Sequence, residues 1–357
     1  MTEPFSHRCK EYVFRIWILP TTDAVVTINK ICLNAQPYTL KVDQLGLTDG
    51  DLLYFNMQKC MLQAKQVPYR NYGSHDKPNF IIALTGQSNS QGVGGLYYDT
   101  SKDDQPHNRV YSFNIWSKTW EMADLRKHIG TKPPLLQCLA FHFAKKLVEG
   151  YSDIRVGIIN FGVDGQPISR WVKYDADEEY YQFNQQNAGV SGEIDYGQDY
   201  GNYMPGVQGD IYDAHVRNIH EAMDSIDPEN RIIDVICWHQ GEGNGGVSSF
   251  NERYFETSLN KVIHQYRSLE YCYSKTPFIV GETTGAYTGS YKGWEARNKE
   301  LRYLNVDGDP YTKCVSSMDL EVSDSEFNNG DKIHFSSESH RILGKRYFEA
   351  FRSIHVE

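Results

Sequence analysis

The chain has 357 residues, 40% of them hydrophobic and 23% charged, with a formal net charge of -10. That length suffices for one large α/β domain and a smaller module, each with a core of its own. The acidic balance, without a basic stripe or arginine-rich segment, argues against a polyanion-binding surface, so nucleic acid is not an expected partner.

The N-terminus, Met1 to Arg8, carries no apolar signal region. No stretch approaches the ~20 apolar residues of a membrane span, so a soluble, cytosolic protein without a membrane partner is expected. Residues 1–76 contain short β-type runs at Tyr12 to Leu19, Ala24 to Asn29, Tyr38 to Val42 and Leu52 to Met57, broken by Pro, Asn and Asp-Gly turns. They predict a small β-rich antiparallel accessory module. It reads as a packing or oligomerisation appendage in preference to a targeting or sugar-binding module, because nothing in it looks like a site. Val67 to Pro78 reads as a linker, and residues 77–357 form the second domain.

The run Phe80 to Thr85 is an apolar strand that ends in Gly86-Gln87-Ser88-Asn89 and then in the glycines 92, 94 and 95. A serine released at the C-terminal end of a buried strand stands where open α/β sheets place reactive groups. Taken alone, the turn reads equally well as a serine capping the next helix. Further along, Leu135 to Glu149 is helical in period, Val156 to Phe161 strand-like, Ile211 to Ile226 helical, Ile232 to Trp238 strand-like, Phe255 to Leu269 helical, Pro277 to Gly281 strand-like and Ser337 to Ile354 helical. Such alternation predicts an α/β fold, a parallel sheet covered on both faces through right-handed crossovers. Three more polar clusters accompany these elements: Asp164 to Trp171, Trp238 to Asn244, and Asp331 to Phe335 ahead of the last helix. All four clusters can meet at one sheet edge. Between them, Tyr174 to Asp210 is long for a loop and carries Tyr180, Tyr181, Tyr196, Tyr200 and Tyr203, which suggests a substrate-lining flap.

Seven cysteines, Cys9, Cys32, Cys60, Cys138, Cys237, Cys272 and Cys314, form an odd, scattered set without a Cys-x-x-Cys pair. They read as reduced thiols rather than as disulfides or a zinc site.

Taken together, Gly86-Gln87-Ser88-Asn89, the turn at Gly165, Trp238-His239-Gln240-Gly241-Glu242 and Asp331-x-x-His334 resemble the ordered blocks of the SGNH/GDSL hydrolase superfamily, in its branch of sialate O-acetylesterases and carbohydrate acetyl esterases. The resemblance spans roughly residues 78–355. It implies a three-layer α/β/α domain and a serine esterase that removes O-acetyl groups from carbohydrate through an acetyl-enzyme. The chain departs from the family's usual pattern in three places: Ser90 stands for a methionine, Asp164-Gly165-Gln166-Pro167 for a Gly-Gly-Thr-Ser-like turn, and Gly243-Asn244 for a Ser-Asp or Thr-Asp pair.

A serine hydroxyl needs a neighbouring base, and His334 is the candidate, with Asp331 spaced to fix its tautomer. Glu242 is the alternative third member; otherwise it supports the site together with Gln87 and Asn89. Oxyanion donors are expected from the backbone N–H groups of Ser88 and Gly165 and, through the resemblance, from the Gln240 amide. Arg170 and Trp171 are candidate substrate contacts, although such a pair is as often simply packed. His340 and His239 are expected to pack or to shape the loops. The chemistry calls for no metal and no cofactor. Two other readings stand beside the esterase: an inactive binding or structural protein on the same fold, and an esterase for non-carbohydrate acyl groups. An acetylated carbohydrate is the expected partner; oligomeric state is not legible.

Overall fold

The computed structural model describes four short strands between residues 25 and 65 and the stretch 77–355, less 128, 130, 132–136, 152–153, 174–208, 245–248, 286–291, 305–308 and 324–329. In the N-terminal part, Val25–Ile28 (β1) pairs antiparallel with Tyr38–Lys41 (β2), and Leu52–Asn56 (β3) with Met61–Lys65 (β4). The remainder of the expected module lies outside the described residues, as does the flap segment from 174 to 208. Asp210, expected in that flap, is instead the first residue of a helix, Asp210–Asp224.

Lys77–Arg352 is one compact unit. Its sheet comprises Phe80–Gly86 (β5), Val110–Asn114 (β6), Thr119–Met122 (β7), Val156–Gly162 (β8), Ile233–His239 (β9), Phe278–Gly281 (β10) and Thr312–Val315 (β11), in the order β11-β10-β9-β5-β8-β6-β7. Six strands run parallel, as expected, and β7 adds an antiparallel strand beside β6 at the edge, so the sheet is mixed. The cause is local. Only four residues join β6 to β7, and the Asn114 side chain accepts the N–H groups of Trp116 at 3.0 Å and Ser117 at 3.1 Å. That makes a tight hairpin, which reverses the chain and cannot form a crossover.

Every residue of β5, β8 and β9 is buried, as continuous apolar runs covered on both faces should be. On one face Ile81, Ala83, Ile159, Phe161 and Ile236 share a core with Ile211, Ile219 and Met223 of Asp210–Asp224 and with Leu259 and Val262 of Ser249–Arg267. On the other, Leu139–Gly150 packs with the C-terminal helix Ser337–His355: Phe351 meets Phe143 and Phe80 with ring centroids 5.6 Å apart in each case. Gly344 lets these two helices close, because a Cβ there would lie 2.4 Å from the Cβ of His142. The result is a three-layer α/β/α domain. Among the described residues, no helix is long and apolar enough to cross a membrane.

A buried ion pair fixes the C-terminal helix to the segment that follows Ser88. Arg341 donates to the two carboxylate oxygens of Asp104 at 2.8 and 2.6 Å and to the Tyr97 carbonyl at 3.1 Å. Asp104 also accepts the Asp99 N–H at 2.7 Å and the Gln137 amide at 3.0 Å, so its oxygens are well satisfied. Burial works against its charge, but these donors win and hold its carboxyl below the usual range.

Among the described residues, four histidines lie fully inside this fold. Burial pushes His215 and His239 from 6.5 down to about 3 and His340 to about 4, and drives His142 well below its ordinary value. The unfolded chain binds protons at these positions near pH 6.5 while the native protein does not, so stability is present above that pH and is lost as pH falls below it. Each site should cost about 1 kcal/mol between pH 7 and pH 5.5. Urea denaturation at the two pH values should therefore show a clear drop, with His215→Gln reducing the slope; equal stability at both would contradict the neutral, buried assignment.

Candidate active site

The central strands bring three turns to one edge. Gly86 at the end of β5 is in register with Gly162 of β8 and with His239 of β9, so the residues just beyond each strand, Ser88, Gly165 and Gln240, leave adjacent strand ends. Gly86 has φ 137, and a Cβ there would lie 2.1 Å from the His239 carbonyl oxygen, so only glycine fits. Gln87 then donates its N–H to the His239 carbonyl at 3.0 Å, and Ser88 opens a one-turn helix, Ser88–Gln91. Ser90 donates its hydroxyl to the Gln87 carbonyl at 2.6 Å and occupies the space that Gly162 leaves open.

From the far end of the chain, His334 Nε2 stands 2.9 Å from Ser88 Oγ, and its Nδ1 stands 2.7 Å from Asp331 Oδ2. Asp331 Oδ1 accepts the N–H groups of Ile333 at 2.8 Å and His334 at 3.1 Å, and Oδ2 accepts the Ser323 hydroxyl at 3.0 Å. Burial opposes ionisation of Asp331, but the bonds from His334 and the backbone outweigh it and hold the carboxyl far below its usual range. A carboxylate that stays charged fixes Nδ1 as the protonated nitrogen and leaves Nε2 free to take a proton from the serine.

Asn89 joins the blocks. Its amide donates to Glu242 Oε1 at 2.6 Å and to the Ile333 carbonyl at 3.0 Å, while its oxygen accepts the Phe335 N–H at 3.2 Å. The histidine is thus gripped through its two chain neighbours. Gly94 presses on the same place, since a Cβ there would lie 2.6 Å from the Cβ of His334. Glu242 bonds Asn89 and, among the described residues, carries no hydrogen bond to His334. Burial pushes its carboxyl up, only partly offset by Asn89 and nearby backbone N–H groups. Of the two candidate partners for His334, Asp331 is the one within hydrogen-bonding distance of it.

Gly165 has φ 64, a conformation that glycine adopts without strain. Neither its N–H nor that of Ser88 has an acceptor among the described residues. Gln240 behaves otherwise than expected. Its Nε2 donates to the Gln166 carbonyl at 3.1 Å and to Asn244 Oδ1 at 2.6 Å, so both of its N–H groups are engaged. It braces the Gly165 turn from behind. Asn244 Oδ1 also accepts the Ile168 N–H at 2.8 Å, and Gly243 donates its N–H to Gln87 Oε1 at 2.9 Å. Here two of the departures noted in the sequence meet: a Cβ at Gly243 would lie 2.4 Å from the Gln166 carbonyl oxygen.

Two expected substrate contacts are placed elsewhere. Trp171 has no exposed surface, donates to Thr85 Oγ1 at 3.0 Å and stands edge-on to Trp238 at 5.3 Å, which makes it a core residue. Arg170 is buried, with its Nε 2.9 Å from Asp210 Oδ1 and its Nη1 2.9 Å from Gln166 Oε1. It anchors the turn to the helix that follows. His239 contacts the Tyr347 hydroxyl at 3.1 Å, and His340 packs inside the last helix with Nε2 3.3 Å from the Val93 carbonyl, so neither approaches the role of base. The sequence showed Gly94 within a glycine run and Gly243-Asn244 as a departure from the family's pattern without giving any of them a role, and Ser323 was not singled out.

The family described as carbohydrate esterase, sialic acid-specific acetylesterase, matches residues 78–353. Among solved structures, the chain is similar to NanS, at 19% identity and a TM-score of 0.56 over 77% of this chain and 97% of that one. It is similar to a protein from Arabidopsis thaliana at 16% identity and a TM-score of 0.55, over 78% and 99% of the two chains. A carbohydrate acetylesterase from Xanthomonas citri follows at 15% identity and a TM-score of 0.50, over 97% of this chain and 72% of that one. At these identities the likeness is one of fold. No curated protein matches the chain. With its four blocks inside the matched span, the chain belongs to the carbohydrate esterase, sialic acid-specific acetylesterase family.

Proposed function

We propose that this protein is a serine esterase that removes O-acetyl groups from a carbohydrate through an acetyl-enzyme, with Ser88 as nucleophile, His334 as base and Asp331 as its orienting carboxylate. The observation that carries the reading is the hydrogen-bonded line from Ser88 Oγ through both nitrogens of His334 to Asp331 Oδ2, at 2.9 and 2.7 Å. In the first half-reaction Ser88 Oγ forms a bond to the acetyl carbonyl carbon while its proton passes to His334 Nε2. The sugar oxygen then leaves with that proton. In the second half-reaction water attacks the acetyl-enzyme, its proton passes to Nε2, and Ser88 departs with it as acetate is released. Negative charge on the carbonyl oxygen is met by the Ser88 and Gly165 N–H groups, each worth about 3 kcal/mol in comparable sites. Gln240 contributes by holding the Gly165 turn.

Ser88→Ala should abolish turnover of a chromogenic acetate, acetylated xylan and acetylated sialic acid while leaving the fold intact, and a fluorophosphonate should label Ser88 alone. Turnover by the mutant at the wild-type rate would remove Ser88 from the mechanism. Comparison of the three substrates with the wild-type protein identifies the sugar class.

The two carboxylates should separate cleanly. Asp331→Asn loses the charge that stabilises the imidazolium and should lower kcat by about a thousandfold or more. Glu242→Gln keeps an oxygen for Asn89 and should cost less than about tenfold. The reverse ranking would transfer the orienting role to Glu242.

A further inference from the structure

One more side chain stands in line with the serine, imidazole and carboxylate. Ser323 is 1% exposed, and its hydroxyl donates to Asp331 Oδ2 at 3.0 Å, the same oxygen that faces His334 Nδ1 at 2.7 Å. Asp331 Oδ1 accepts the N–H groups of Ile333 and His334. Of these four donors, three belong to the aspartate's own loop and would move with it. Ser323 is the one that comes from a neighbouring piece of chain.

That neighbouring piece is itself well held. Val322 and Phe335 face each other in an antiparallel bridge, Ser323 donates its N–H to the His334 carbonyl at 2.8 Å, and Ser336 donates its N–H to the Glu321 carbonyl at 3.1 Å. Gly94 closes over both residues, since a Cβ at that position would lie 2.6 Å from the Cβ of His334 and 3.1 Å from that of Ser323. The Ser323 hydroxyl therefore projects from a backbone clamped to the histidine it serves. A carboxylate fixed on one oxygen by an external donor loses its freedom to pivot, and a histidine facing it keeps one tautomer and one ring orientation.

We propose that Ser323 is a positioning residue of this site, its hydroxyl holding Asp331 Oδ2 on the axis of the His334 Nδ1–H so that Nε2 stays aimed at Ser88. The role rests on the esterase reading given above. It acts through Asp331 alone, and this separates it from general support of the loop. The main-chain bond to His334 survives substitution by alanine; only the hydroxyl is lost.

The test is a double-mutant cycle on acetyl-ester turnover. Ser323→Ala should lower kcat about tenfold, with KM within about twofold of wild type, as expected for loss of one hydrogen bond to a charged group. In an Asp331→Asn background the same change should cost less than about twofold, because the group it serves is already gone. Equal losses in the two backgrounds, or no loss in the first, overturn the proposal. The His334 Nδ1–H proton resonance reads the same contact by NMR without turnover and should move in Ser323→Ala; an unmoved resonance overturns the proposal whatever the kinetics. A moved resonance in a protein that hydrolyses no acetyl ester overturns the esterase reading and leaves the contact established.

Discussion

One buried amide holds the candidate site together. Ser88 and His334 are 246 positions apart in sequence, and the serine follows the central strand β5 while the histidine sits on a loop before the last helix. Asn89, next to the serine and without solvent exposure, uses both ends of its side chain on this problem: its NH2 group binds Glu242 and Ile333, and its oxygen binds the Phe335 N–H. The residues on either side of His334 are thereby fixed to the residue beside Ser88. A glutamine would be a methylene too long and an aspartate would lack the donors, so the site's geometry depends on this amide.

A second constraint operates behind the turn at Gly165. Gln166 presents its carbonyl to the Gln240 amide, and Gly243 leaves the room that this carbonyl needs. Asn244 completes the arrangement by accepting from both Gln240 and Ile168. The Gln166-Pro167 turn and the Gly243-Asn244 pair are both departures from the family's usual pattern, and they touch. Any larger side chain at 243 would push the turn away, so the two departures are physically one. The glutamine that the resemblance assigns to the oxyanion donates here to Gln166 and Asn244 instead, so the proposed mechanism relies on the backbone N–H groups of Ser88 and Gly165 as oxyanion donors.

The alternation of apolar runs with helical periods was enough to read the α/β layering, because β5, β8 and β9 are buried on both faces and so are apolar throughout. The edges of the sheet were harder. Val110–Asn114 and Thr119–Met122 are partly exposed and mixed in polarity, and Thr312–Val315 is a four-residue strand with two half-buried positions, so none gave a period to recognise. Lys292–Tyr303, a helix rich in charged residues, was missed for the same reason. At the site, Ser88, Asp331 and His334 were legible from their spacing and company, and the structure brings them within hydrogen-bonding distance. What local sequence could not show was direction. Arg170 and Trp171 follow the turn and read equally as substrate contacts or as a packed pair; their side chains run into the ion pair with Asp210 and into the core. Ser323 was invisible because nothing in its neighbourhood distinguishes it from any other serine; only the fold carries it to Asp331.

The dependence of the site on Asn89 can be measured directly as the second-order rate constant with which a fluorophosphonate labels Ser88 in Asn89→Ala, in protein whose fold is verified by circular dichroism. With the clamp on His334 released, the base should drift from the serine and labelling should slow by about a hundredfold, as small displacements of catalytic groups do. A rate within about twofold of wild type would mean that His334 finds Ser88 without Asn89, and would contradict the account.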